Sequence, residues 1–136
     1  MITAIDTNVL IDVFGADPAF GEKSAAAVRR CLHDGALVAC AVVWAQTAVA
    51  FPSREKFARA MNDLSVAFDP MTGETALKAA EAWRRYRAHG GMRTRIASDF
   101  LIGAHAQGRA DRLLTRDRGF FRRYFAGLKV LDPSRP

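Results

Sequence analysis

Three aspartates that are far apart in the sequence occupy positions at which a metal site could form. Asp6 directly follows the apolar run ITAI, Asp117 follows LLTR, and Asp99 lies within IASDFLIGAHA. In open parallel α/β sheets, sites collect outside the carboxyl ends of the strands, so these side chains can meet at one edge. Clustered carboxylates repel one another and persist where a hard divalent cation neutralises them, and ligation by oxygen alone favours Mg²⁺ or Mn²⁺.

Each of these acids also has a purely structural explanation. Asp6 could cap a helix that begins at Thr7, and Asp99 could complement a helix dipole. Asp117 could stabilise the turn before Gly119. Composition and spacing leave the structural and the metal-binding interpretations open.

The basic charge is concentrated in one part of the chain. The net charge is +6, and residues 84–123 hold eleven arginines against three aspartates, a local balance of +8. Such asymmetry favours a polyanionic partner, most simply nucleic acid, because a guanidinium fork can bind two phosphate oxygens at once. For any single arginine, a solvated helix face is the alternative. The arginines nearest Asp117 in the sequence are the candidates for holding a nucleic-acid backbone: Arg112, Arg116, Arg118, Arg122 and Arg123.

One primary amide interrupts an apolar stretch. Residues 40–51 read CAVVWAQTAVAF, in which only Gln46 and Thr47 are not hydrophobic. An amide buried without partners costs about 1–3 kcal/mol. Gln46 therefore requires either a hydrogen-bond partner or a place in an active site.

Short apolar runs alternate with longer helical patterns along the chain. Strands are predicted at 2–5, 36–41, 66–68, 112–115 and 129–131. Helices are predicted at 7–14, 20–33, 42–51, from the N-cap Ser53, from Thr72 to about 90, at 95–107 and at 118–125. Strands that alternate with helices pair in parallel through right-handed crossovers. We expect one domain over residues 1–136, an α/β fold with a mainly parallel sheet of about five strands.

Several side chains are expected to have packing roles. In the helix that starts at Thr72, one apolar face is formed by Leu77, Ala80 and Trp83. Trp44 and Trp83 are expected in the core, with a subunit contact as the alternative for either. Gly103 could let another element pack closely against its helix. His105 lies six residues after Asp99, nearly on the other side of the helix, which favours a core or surface role.

Composition argues against several classes of protein. No apolar run reaches transmembrane length, and the N-terminal MITAIDTNV lacks the basic start of a signal peptide. Cys31 and Cys40 show neither metal nor redox spacing, and the histidines lack zinc-ligand spacing. We expect a cytoplasmic protein with two reduced thiols and no membrane contact.

The motifs resemble those of a known family. DTNVLID at 6–12, SDFLIGAHA at 98–106, LLTRDRGFFRRYF at 113–125 and LKVLDP at 128–133 are similar in order and spacing to those of PIN domains, specifically VapC-type toxins of bacterial toxin–antitoxin pairs. The resemblance covers essentially the full chain. It implies a three-layer α/β/α fold and a metal-dependent endoribonuclease.

The resemblance also implies roles for particular residues. Asp6, Asp99 and Asp117 match acidic positions of the family and would bind Mg²⁺, with Mn²⁺ as a substitute. A fourth catalytic acid, usually Glu, falls at Gln46. Gln keeps a neutral amide oxygen but removes a negative charge and any general-base capacity, which typically contributes about 10²–10⁴-fold in rate.

Hydrogen bonds are expected to hold the carboxylates in place. Asn8 and Thr115 are candidates for fixing Asp6 and Asp117, and ordinary turn and cap roles are the alternative.

Partners follow from the same resemblance. It implies an RNA substrate, a homodimer, and a VapB-type antitoxin whose C-terminal segment would cover the acidic groove. Heterotetrameric or larger assemblies would contact DNA only through the antitoxin.

Two other functions stay open. A phosphatase on a similar sheet would also use Asp6, although Asn8 stands where haloacid-dehalogenase-like enzymes carry a second aspartate. A catalytically impaired PIN domain that binds RNA or an antitoxin is favoured by Gln46, whether that glutamine is natural or an introduced inactivating change.

Overall fold

A parallel sheet of five strands forms the centre of the molecule. The computed structural model describes residues 1–91 and 97–135. In chain order the strands are β1 (Ile2–Ile5), β2 (Ala36–Ala39), β3 (Val66–Phe68), β4 (Arg112–Leu114) and β5 (Lys129–Leu131). Their order in the sheet is β3-β2-β1-β4-β5, and every neighbouring pair is parallel. The predicted parallel sheet is therefore confirmed.

Helices cover both faces of this sheet. Within the described residues they are α1 (Thr7–Phe14), α2 (Gly21–Asp34), α3 (Ala41–Ala48), α4 (Arg54–Asp63), α5 (Gly73–Ala88), α6 (Ala97–Arg109) and α7 (Arg118–Tyr124). Right-handed crossovers place α1 to α4 on one face and α5 to α7 on the other. The result is the predicted three-layer α/β/α arrangement. None of the described helices is long and apolar enough to cross a membrane.

The strand order reverses next to β1. The chain leaves β1 through α1 and α2 toward β2 on one side, and it later returns to β4 on the other side. At such a switch point the two connections diverge and open a crevice at the carboxyl ends of the strands. Ile5 pairs with Leu114 across β1 and β4, so Asp6 and Thr115 follow side by side. The fold itself thus brings together residues from opposite ends of the sequence.

An aromatic cluster fixes α6 against its neighbours. Phe100 is fully buried, and its ring lies 5.7 Å from that of Trp83 and 5.2 Å from that of Phe120, measured between centroids. Farther along α6, a Cβ at Gly103 would stand 2.3 Å from a ring carbon of Phe125. The close packing predicted at Gly103 is confirmed, and only glycine accommodates it without movement of the ring.

The prediction that Leu77, Ala80 and Trp83 form the buried face of α5 is wrong. Leu77 and Trp83 are 63% and 36% exposed, and Ala80 is exposed between them. The helix instead buries Ala79 and Ala82, because it packs closely against α6, and small side chains permit that approach. The core position predicted for Trp83 therefore fails.

The other tryptophan and the helix that carries it also differ from expectation. Trp44 is half-buried, with its ring 5.2 Å from Phe57 and 5.4 Å from Phe68. The helix ends at Ala48 rather than near Phe51, because the chain tightens into turns that bring Phe51 to 5.3 Å from the ring of Phe14.

A polar clamp ties α6 to the end of β3. His105 is 1% exposed, and its Nε2 lies 2.8 Å from Oδ2 of Asp69. Arg109 donates to both carboxylate oxygens of Asp69, each at 3.0 Å. The predicted packing role of His105 is thus confirmed. The start of α6 predicted at Arg95 lies outside the described residues.

Candidate active site

An open cleft of about 620 Å³ lies at the carboxyl ends of β1 and β4. It is lined by six residues that the sequence analysis singled out: Asp6, Asn8, Gln46, Asp99, Arg116 and Asp117. Asp6 directly follows β1, Asp117 immediately precedes α7, Asp99 is in the first turn of α6, and Gln46 lies near the end of α3. The four positions predicted for catalysis therefore share one cleft.

Asp6 is the most constrained of these side chains. It is 7% exposed and caps α1, with Oδ1 accepting a 2.7 Å hydrogen bond from the backbone N–H of Thr7. Its Oδ2 accepts from the Thr115 hydroxyl at 2.7 Å and from the Asn8 side-chain amide at 3.4 Å. The same Thr115 oxygen accepts from the backbone N–H of Asp117 at 3.0 Å. Asp6 therefore both caps α1 and lines the cleft.

The electrostatic environment of Asp6 is unfavourable to its charge. Burial raises the pKa of Asp6 from its ordinary value of 3.8 to about 6, since desolvation penalises the ionised carboxyl. Hydrogen bonds from Thr115 and Thr7 lower that pKa, whereas the negative charges of Asp99 and Asp117 raise it. Asp99 and Asp117 are therefore close enough to Asp6 to disfavour its charge.

The donors in this cleft fit a hard divalent cation by their chemistry. A cation beside Asp6 would offset both the cost of burial and the repulsion from Asp99 and Asp117. In the described ranges 1–91 and 97–135, no three acidic, histidine or cysteine side chains converge closely enough to hold a metal ion. Sharing one ion would therefore require the aspartate side chains to move toward each other.

Gln46 is exposed at the cleft, and its polarity is satisfied there. Its Oε1 accepts a 2.6 Å hydrogen bond from the hydroxyl of Thr7. The neighbouring Thr47 is fully buried, and its hydroxyl has no hydrogen-bond partner among the residues that the structure describes. The amide of Gln46 thus lies at the cleft and has a hydrogen-bond partner. In the same apolar stretch, it is the Thr47 hydroxyl whose burial has no structural explanation.

A buried ion pair forms one wall of the cleft. Arg116 donates from Nε to Oδ2 of Asp12 at 2.7 Å and from Nη2 to Oδ1 at 3.1 Å. Asp12 also accepts from the Ser24 hydroxyl at 2.8 Å. The guanidinium carbon of Arg116 lies 4.1 Å from the centre of the Phe20 ring. The Nε–Nη2 edge of the planar guanidinium and its face are therefore occupied.

The arginines proposed for RNA do not form one set. Arg112 is wrong as an RNA contact, because it is 3% exposed and donates to Thr3 and Asp34, each at 2.9 Å. It begins β4, at the opposite end of the strand from the cleft. By contrast, Arg122 and Arg123 are exposed on α7 and Arg118 is half-buried.

Sequence analysis missed several residues of the site. Thr7, Asp12 and Phe20 contact its predicted members directly. Asp12 had a usable signal, since an acid three residues after the apolar Val9 falls on the buried face of a helix. The sequence gives no such signal for Phe20, because its contact with Arg116 depends on how the start of α2 is placed relative to β4.

A comparison with protein families identifies the fold. The profile of the PIN domain matches residues 3–126, which include all four predicted catalytic positions. This chain belongs to the PIN domain family. No curated protein matches the chain.

Solved structures with the same fold include chains of VapBC and FitAcB complexes. VapBC2 from Rickettsia felis, bound to a DNA fragment from its promoter, matches with a TM-score of 0.75 and 15% identity over 97% of this chain and 98% of that one. VapBC-1 from nontypeable Haemophilus influenzae gives 0.74 and 23% over 98% and 99%. FitAcB from Neisseria gonorrhoeae gives 0.70 and 21% over 100% of both chains. At such identities the likeness establishes the PIN fold.

Proposed function

We propose that this PIN domain is a VapC-type toxin, a metal-dependent endoribonuclease that hydrolyses RNA phosphodiester bonds. One observation carries the proposal. Asp6 is buried at the switch point of the sheet, with its pKa raised by burial and by the carboxylates of Asp99 and Asp117. A protein stabilises such a cluster poorly without a cation, and perturbed acids in a cleft are characteristic of functional sites.

The residues of the cleft would divide the work as follows. Asp6, Asp99 and Asp117 would hold Mg²⁺, for which Mn²⁺ can substitute. When bound, the ion lowers the pKa of its water and stabilises charge on the phosphate. Thr115 and Asn8 would hold Asp6 in orientation, and Thr115 would also restrain the backbone at Asp117.

Gln46 sets the expected level of activity. Its amide oxygen remains available as a neutral ligand, oriented by Thr7, but the cleft has one negative charge fewer than a glutamate would give. This observation favours a second candidate, a PIN domain that binds RNA or an antitoxin with little catalysis. The phosphatase alternative has no comparable support, since the family match is to PIN domains.

The proposed partners follow from the solved neighbours, one of which is described as a toxin–antitoxin complex and three as bound to DNA. We expect a VapB-type antitoxin to cover the acidic cleft, the toxin to form a homodimer, and DNA to be contacted through the antitoxin. The proposed site of action is the cytoplasm.

The test compares this chain with its Gln46→Glu variant on total RNA in Mg²⁺, in Mn²⁺ and in EDTA. We expect Gln46→Glu to cleave about 10²–10⁴-fold faster, because it restores a general base and a charged ligand. EDTA should abolish cleavage by both proteins. Calorimetry should find tighter Mn²⁺ binding by Gln46→Glu.

The matched control is Gln107→Glu, the same change on the exposed end of α6, where the side chain donates to the carbonyl of Ala126. It should behave as the parent chain does. Cleavage by neither the parent nor Gln46→Glu would refute the nuclease proposal. RNA binding without cleavage by either would favour the binding protein, and equal cleavage by both would remove position 46 from the mechanism.

A further inference from the structure

Asp12 is a buried charge that the proposed chemistry does not use. Its side chain is 4% exposed, it lies in α1, and it pairs with Arg116, which is 28% exposed and lines the cleft. Burying an ion pair costs several kcal/mol per ion in desolvation, which the mutual attraction often fails to recover. Stability alone is therefore a weak explanation for this pair.

The pair is arranged to fix one side chain in position. Two parallel hydrogen bonds that the guanidinium donates to Asp12 restrict its rotation, and the ring of Phe20 covers one of its faces. The backbone N–H of Arg116 also donates to Oδ1 of Asn8 at 3.3 Å. Among the hydrogen bonds that Arg116 makes within residues 1–91 and 97–135, those of its side chain use Nε and Nη2 and none uses Nη1. The Nη1 edge therefore still has donors that a ligand could accept from.

We propose that Asp12 is a positioning residue that holds Arg116 ready to bind a phosphate oxygen of RNA in the cleft. The inference rests on the proposed function and adds a residue to it. An arginine already immobilised loses less side-chain entropy when it binds, a gain of about 0.5–1.5 kcal/mol per ordered side chain, or roughly two- to twelve-fold in affinity. Arg116 therefore differs from the exposed Arg122 and Arg123, which would pay that cost on binding.

The test is a double-mutant cycle read out by RNA binding. A fluorescein-labelled single-stranded oligoribonucleotide is titrated with the parent chain, Asp12→Asn, Arg116→Met and the double variant, in Ca²⁺ in place of Mg²⁺. We expect Arg116→Met to weaken binding about ten-fold, as expected for loss of a charge-assisted hydrogen bond. Asp12→Asn should weaken it about three- to ten-fold. In the Arg116→Met background, Asp12→Asn should have no further effect.

A matched control lies at the other edge of the sheet. Asp34→Asn makes the same change in the Arg112–Asp34 pair, which is remote from the cleft, and should leave RNA affinity unaltered. Parent-like affinity of Asp12→Asn, or an equal loss in the presence and absence of Arg116, would overturn the positioning role. No RNA binding by the parent chain would instead refute the proposed function, and the inference with it.

A second pair of variants covers the case in which Asp12→Asn does not fold, as judged by circular dichroism. Phe20→Leu removes the ring beside the guanidinium and leaves Asp12 intact, and it should weaken RNA binding only when Arg116 is present. Arg116→Lys retains the charge without the fork. Parent-like affinity in Arg116→Lys or in Phe20→Leu would contradict the proposal.

Discussion

Two features of the Asp6 environment shift its pKa in opposite directions. As the N-cap of α1 it accepts a hydrogen bond that favours the ionised form, and as a buried residue between carboxylates it is driven toward the neutral form. Burial prevails, so the pKa of Asp6 rises to about 6. The folded protein therefore carries an unfavourable charge near neutral pH, a cost that a bound cation would offset.

This cost predicts a specific pH dependence. In EDTA, the stability contributed by Asp6 is fully present below about pH 4 and is lost as pH rises through about 6, because the folded state binds the proton more tightly than the unfolded state. The loss is about 3 kcal/mol at most. Asp6→Asn, which can still cap α1, should become more stable than the parent chain as pH rises from 4 to 7. Urea unfolding at each pH measures this difference.

Asp69→Asn is the control for that experiment. Hydrogen bonding from Arg109, before that from His105, lowers the pKa of Asp69, so its stabilisation is lost only as pH falls below the ordinary range. The stability difference between Asp69→Asn and the parent should stay nearly constant from pH 4 to 7. A similarly flat difference for Asp6→Asn would contradict the assigned environment of Asp6. Added Mg²⁺ should stabilise the parent at pH 7 and leave Asp6→Asn almost unchanged.

At single positions, prediction from sequence worked where local position determines the environment. Asp6, Asp99 and Asp117 could be placed together because strand ends converge at one edge of a parallel sheet. The burial of Arg112 could not be predicted, nor could the Thr47 hydroxyl without a partner among the described residues, since both depend on neighbours supplied by other elements.

The packing of α6 determines where Asp99 lies, because this helix carries Asp99 in its first turn. Its contact with Phe125 passes through Gly103, where any side chain would collide with the ring. Gly103→Ala should lower the free energy of unfolding by about 1–3 kcal/mol, the usual cost of overpacking. Urea unfolding measures it, and Phe125→Leu in the same chain should recover part of the loss.

Gly108→Ala is a matched control in the same helix. Apart from the adjacent residues and the backbone of the helix itself, no atom of the described residues lies within 4 Å of a Cβ built at Gly108, so alanine should stabilise the helix by about 0.5–1 kcal/mol. Equal losses at both glycines would show that helix propensity, rather than contact with Phe125, governs the response of α6.

The bounds of helices and strands could be predicted where a short run of sequence determines them. The bounds of β1, β3 and β5 match the prediction, since short apolar runs between turn residues mark buried strands. The buried face of α5 was not predictable. Leu77 and Trp83 are more hydrophobic than Ala79 and Ala82, yet close packing against α6 selects the small residues.

On the scale of the whole molecule, the fold places positively charged arginines on α7 and beside the cleft. Changing Arg118, Arg122 and Arg123 to Gln should weaken RNA binding and reduce the slope of log affinity against log salt by about 2, if each contacts one phosphate of a single strand. Titrations at several salt concentrations give the slope. Net charge also falls, so a control must remove equal charge elsewhere.

Lys23, Arg29 and Arg30 provide this control, because they are three exposed cations of α2 outside the arginine-rich segment. Changing them to Gln should lower affinity slightly and leave the slope near that of the parent. Equal changes in slope for the two triple variants would mean that RNA responds to total charge rather than to α7.

Under the proposed function, the switch point would also determine when a chain could become active during its synthesis. Asp6 and Thr115 meet through a hydrogen bond between residues separated by 109 positions, and β4 must dock beside β1 before it can form. A nascent chain still lacking β4 therefore has Asp6 at the end of a strand that is paired with β2 alone, and no assembled cleft. Under the proposed function, the ribosome that makes the chain would be spared until translation has passed β4.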